Sequence, residues 1–132
     1  MKSLQRAGAL VIAALLVVLL LGCGAGHRKL VKIAVSPTTA TAMSSTKASV
    51  TFAATGTFDN NTSRQLSRVD GLTWMSSNTA VATIDSSGVA TCVAPGTVTV
   101  TATAPVDLVI TVGTTVSTTS PKISGSANLS CT

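Results

Sequence analysis

The sequence predicts an all-β fold: a sandwich of two antiparallel sheets, built from about seven short strands and preceded by an N-terminal signal segment. Three observations carry this. Beyond residue 29 the chain is rich in Thr, Ser and Val, which favour strands and turns. Short stretches of period-two alternation recur there, each closed by Gly, Pro, Asn, Asp or Ser. No helical periodicity runs longer than a turn or two. Strands this short, at this spacing over about 100 residues, suit two packed sheets.

The elements follow in order. Leu30 to Ser36 is the first strand, with Val31, Ile33 and Val35 on one face, and Pro37 ends it. Ala48 to Phe58 is the second, with Val50, Phe52 and Ala54 opposite Thr51 and Thr55. Asp59-Asn60-Asn61 forms a turn. Leu72 to Ser76 places Leu72 and Trp74 on one side, and Ser77-Asn78 turns the chain. Ala80 to Ile84 and Val89 to Val93 flank the tight turn Asp85-Ser86-Ser87-Gly88. Ala94-Pro95-Gly96 breaks the chain before Thr97 to Thr103, where Val98, Val100 and Ala102 point inward. Gly88 and Gly96 supply backbone conformations closed to residues with a Cβ. The last strand runs from about Lys122 to Cys131. Between the last two strands, 105–121 reads as a long hairpin, apolar at Leu108 to Val112 and almost all Thr and Ser from Gly113 to Ser120. A disordered tip is the alternative. Trp74, Phe52, Val98 and Val100 are expected in the core.

The first 22 residues differ in kind. Lys2 and Arg6 precede an uncharged apolar run, Ala7 to Leu21, too short to span a bilayer and suited to a secretory signal. It ends Leu20-Leu21-Gly22-Cys23, which resembles the bacterial lipobox. The resemblance implies cleavage between Gly22 and Cys23, a diacylglycerol thioether on the Cys23 sulfur and acylation of the new amino group. Several acyl chains hold a protein at a membrane stably where one is marginal. The alternative is an uncleaved anchor helix. Residues 23–29 then form the lipidated Cys and a flexible tether, and 30–132 the folded domain. Gly24 is not Asp, which implies outer-membrane sorting in a Gram-negative cell.

Composition narrows the function. The chain of 132 residues has 9 Lys and Arg, 4 Asp, no Glu, no Tyr, 1 His and only 10% charged residues. The single His27 lies in the tether, so no Ser-His-Asp set forms and catalysis is not expected. Two distant Cys and that His make no metal site. Asp59-Asn61 offers oxygens to a weakly held calcium ion, though such a cluster is more simply a turn. No cofactor is expected. The balance is too mildly basic for nucleic acid. Arg28, Lys29 and Lys32 could touch anionic headgroups or be a solvated tether.

Order and spacing across Leu30 to Cys131 resemble the group 2 bacterial Ig-like domain, of the intimin and invasin type. The most specific stretch is Leu72-Thr73-Trp74-Met75-Ser76-Ser77-Asn78, followed by Ala80-Val81-Ala82-Thr83-Ile84, Gly88-Val89-Ala90-Thr91 and Ala94-Pro95-Gly96-Thr97-Val98-Thr99-Val100. The long 105–121 connection and the terminal Cys131 depart from that pattern. The resemblance implies a β-sandwich and a role in adhesion, protein interaction or envelope structure. A domain standing alone is not expected to be a spacer. A carbohydrate-binding accessory module is the alternative, although Phe52 and Trp74 read as buried and only Phe58 is in doubt. The Thr/Ser tip at Thr114–Ser120 is the expected contact surface. The expected partners are the membrane, through Cys23, and an unidentified envelope or extracellular protein or glycan.

Three Cys is an odd count for an exported chain. With Cys23 lipidated, Cys92 and Cys131 remain as a pair in an oxidising compartment, and a disulfide between them is expected; two separate buried thiols are the alternative. One measurement checks the anchor. Cells expressing the chain incorporate labelled palmitate into it, and Cys23→Ser removes the label.

Overall fold

The computed structural model describes residues 28–107 and 120–132. The signal segment 1–22, Cys23 with the tether to residue 27, and the body of the 105–121 hairpin with its Thr/Ser tip lie outside the described residues. What is described is all-β apart from one short 3₁₀ turn.

The chain enters through β1 (Leu30–Ser36), which pairs antiparallel with β4 (Ala53–Phe58); β4 pairs with β5 (Ser63–Gln65). A second sheet has the order β2 (Thr39–Ala42), β10 (Lys122–Cys131), β9 (Gly96–Pro105) and β6 (Thr73–Ser76). A third joins β3 (Ser49–Thr51), β8 (Val89–Cys92) and β7 (Ala82–Ile84). β1 lies on β10 and β9, and β7 lies against β6. The first and third sheets therefore cover the four-stranded one, and the core fills the space between, as an Ig-like sandwich requires.

The strand pattern expected from alternation is present, with four corrections. Residues 48–58 form two strands, because the fully buried Phe52 interrupts the ladder and donates its N–H to the Gly88 carbonyl at 2.8 Å. On one side of it β3 pairs with β8, and on the other β4 pairs with β1. Val31 does not share the inward face. The β1–β4 register shifts between Leu30 and Lys32, so Leu30 is buried and Val31 is 52% exposed. Beyond Pro37 the chain crosses to the other layer and forms β2, which runs parallel to β10; the sheets are not all antiparallel. β5 is the fourth: Ser63, Arg64 and Gln65 are all exposed and give no alternation to read.

Phe52, Leu30, Leu129, Val98, Val100 and Cys92 are fully enclosed. Phe52, Val98 and Val100 thus sit in the core as expected, whereas Trp74 is only partly buried against it. Six of the remaining buried positions are Ala: 54, 82, 90, 102, 104 and 127. Small side chains let the layers come close. Gly125 on β10 faces the Ile33 carbonyl of β1, and a Cβ there would collide with it.

The sandwich has two distinct ends. At the tether end, the Leu30 N–H donates to the Val106 carbonyl at 2.8 Å, the Asp59 N–H to Lys29 at 2.9 Å and the Val106 N–H to Pro121 at 2.8 Å. At the far end, the Ser44 N–H donates to Thr132 at 2.7 Å and the Cys92 N–H to Ala48 at 3.0 Å. There Cys92 of β8 and Cys131 of β10 form a disulfide across the two layers, with Cα atoms 5.6 Å apart. It closes a separation of 39 residues. Constraining the unfolded chain over such a loop contributes about 4 kcal/mol. Replacing both cysteines by Ser is therefore expected to lower the unfolding free energy by about 3–4 kcal/mol, read by urea titration.

Candidate functional site

Among the described residues, a hollow lies where β5 gives way to the 3₁₀ turn Arg68–Asp70 and β6 begins. It is a groove of about 510 Å³ lined by Phe52, Ala54, Leu66, Leu72 and Trp74, with Gln65, Ser67, Arg68, Val69, Ser86 and Ser87 around it. A second hollow of about 390 Å³ continues past Trp74 to Gly71, Thr73, Ile84 and Asp85. Arg68, Leu72, Trp74 and Ser86 border both. Trp74 is thus the shared wall of an open groove and is not sealed between the sheets. The reason is its strand: β6 pairs on one side only, with β9, and stands at the edge of its sheet.

Two turns fix the groove's rims. On one, Asp70 is 5% exposed and takes both guanidinium nitrogens of Arg64, with Nη1 3.0 Å from Oδ2. The Ser67 N–H donates to the same Asp70 Oδ2 at 2.9 Å. The spacing Ser67-x-x-Asp70 is the reciprocal pattern that starts a helical turn, and Gly71 at φ 75° ends it after one turn. Arg64 also stacks on Phe58, its Cζ 5.4 Å from the ring centre. The pair holds β5 to the turn and leaves Val69 projecting, 78% exposed.

On the other rim, Asp85 Oδ1 accepts from the Ser87 N–H at 2.8 Å, the Ser87 hydroxyl at 2.7 Å and the Val89 N–H at 3.0 Å. These bonds, Ser87's hydroxyl foremost, hold the Asp85 carboxyl below the usual carboxylate range. Gly88 follows at φ 87°, and a Cβ there would collide with the Phe52 carbonyl and press on the Trp74 ring. The turn read from the sequence as tight is therefore also what leaves room for Trp74.

The other expected sites fall elsewhere. Asp59-Asn60-Asn61 is a turn in which Asn60 Oδ1 accepts from the Thr62 N–H and hydroxyl, and Asn61 sits at φ 61°. Phe58 is buried. His27, Cys23 and residues 114–119 of the Thr/Ser tip lie outside the described residues, while Ser120 is at the tether end beside Asp107. Sequence reading missed Arg64, Arg68, Val69 and Asp70. The Ser67-x-x-Asp70-Gly71 spacing was the available signal.

Residues 69–105 match the family model described as the intimin, immunoglobulin-like domain. The described strands form an Ig-like β-sandwich. The match begins on the groove rim at Val69, takes in β6 to β9 and stops at the end of β9, a narrower stretch than the resemblance over Leu30 to Cys131. A search of curated proteins finds no match to the chain.

The Arg64–Asp70 pair makes the Ig-like domain sensitive to acid. Arg64's hydrogen bonds, aided by Ser67, hold the Asp70 carboxyl below its ordinary value, burial opposing them. A carboxylate whose pKa is lower folded than unfolded stabilises above its unfolded value, about 3.9, and loses that stabilisation as pH falls through the folded value. Asp70→Asn is expected to cost about 2 kcal/mol at pH 7. The difference between wild type and variant shrinks below about pH 4, read by thermal melts across pH.

Proposed function

We propose that the protein is a lipoprotein of the bacterial envelope, on the outer membrane or cell surface. In this reading it displays its Ig-like domain to bind another polypeptide in adhesion or envelope assembly and has no chemistry of its own. The lipid part rests on Leu20-Leu21-Gly22-Cys23 behind an apolar signal. The binding part rests on one observation: Val69, 78% exposed, stands on the rim of a groove floored by Leu72 and Trp74. An apolar anchor ringed by Arg68, Asp85 and hydroxyls has the make-up of an interface centre, where a few residues dominate the binding energy. Residues 114–119 of the Thr/Ser tip lie outside the described residues and do not carry this proposal.

A carbohydrate ligand is the second reading. One observation favours it: Trp74 keeps part of its ring accessible in the groove, where the apolar face of a sugar could pack.

Crosslinking of the full chain in intact cells tests the proposal. Val69→Asp is expected to reduce the captured polypeptide at least about tenfold. Because the side chain is exposed, the variant's stability stays within about 0.5 kcal/mol of wild type. Unchanged capture overturns the groove as the contact surface. Binding to an arrayed glycan, with no polypeptide captured, selects the second reading.

A further inference from the structure

The charges of the domain are not spread evenly. Beyond Cys23 the chain carries seven Lys and Arg. Four of them belong to the tether end: Arg28 and Lys29 lead into β1, Lys32 is near its start and Lys122 opens β10. All four are exposed, and among the described residues none is in an ion pair. Asp59 and Asp107 offset them only in part. Arg64 is neutralised by Asp70, and Arg68 is balanced across the groove by Asp85. The far end holds Lys47 alone, beside the exposed Met43.

Five residues separate Cys23 from Lys29. Fully extended they span about 20 Å. Strand β10, ten residues long, runs about 33 Å from Lys122 at the tether end to Cys131 at the far end. The tether is therefore shorter than the domain it holds. Val31, pushed outward by the β1 bulge and 52% exposed, adds an apolar side chain to the basic end.

We infer that the tether end is a docking surface for anionic phospholipid headgroups, so that the domain stands on the membrane with the far end outward. Charge complementarity and the place where the tether joins select this occupant. Lys29, Lys32 and Lys122 lie within the short range over which a negative surface attracts cations. This inference rests on the lipid-anchor reading.

The test uses the full chain in bacterial cells, with a photoreactive amino acid in place of either Val31 or Met43. The readouts are phospholipid adducts by mass spectrometry and palmitate incorporation on the same samples. The expected result is adducts from position 31 at least tenfold above those from position 43, with the palmitate label present. Lys32→Glu together with Lys122→Glu lowers the position 31 adducts at least fivefold and leaves the label unchanged. Label retained, with equal adducts at both positions or adducts indifferent to the two charge reversals, overturns the docking surface while the anchor stands. Loss of the label in the unmodified chain overturns the anchor and the docking surface with it.

Discussion

Where β10 crosses β1, Gly125 lies against the main-chain carbonyl of Ile33, and no side chain fits between them. That close approach governs the rest of the sandwich. Around it the layers are filled with small groups, six Ala and the two disulfide Cys among the buried positions. Each Ala removes little apolar surface from water, so the hydrophobic return per residue is low. Phe52, Leu30 and Leu129 are the largest fully enclosed side chains, and the Cys92–Cys131 bridge adds stability through chain entropy. The bridge stands at the far end, where Cys92 lies opposite the small Ala82.

A thin core leaves its aromatic residues little room. Phe52 takes the interior and breaks the strand that carries it, so that one run of residues serves two ladders. Trp74, on an edge strand with Gly88 beneath its ring, is left at the margin, where its face forms the wall of the groove. The groove is thus a by-product of close layers. The Arg64–Asp70 pair ties the 3₁₀ turn on its rim to β5.

Most of the fold was legible in the sequence where one rule decided the outcome. Strict alternation at Val98, Val100 and Ala102 set the inward face of β9, and Cys parity pointed to the bridge. Legibility failed where two effects competed. Val31 and Leu30 are both apolar neighbours, and only the register shift against β4 decides which is buried. Residues 39–42 alternate Thr and Ala, too weak a pattern to mark β2, which exists because β10 offers it an edge. The site was less legible still. Residues that line one groove are far apart in the chain, and a Trp between turn signals reads as core until its strand is known to be an edge. The ion pair hides because Arg64 and Asp70 lie on different elements, β5 and the 3₁₀ turn after it, at no spacing that marks a pair in the sequence.

The course of β1 has a mechanical consequence. It enters at the tether end and lies lengthwise between β4 on one side and the β9–β10 face beneath it. Tension arriving through residue 28 while the groove is gripped pulls along this strand, parallel to its neighbours. The β1–β4 hydrogen bonds are then loaded together in shear and must yield as a group, whereas a strand peeled from one end gives them up singly. Beyond Pro37 the same chain continues into β2, bonded to β10, whose last residue is covalently joined to β8. A pull on the N-terminal strand is thus shared between both layers, so that the ladders of both resist it together.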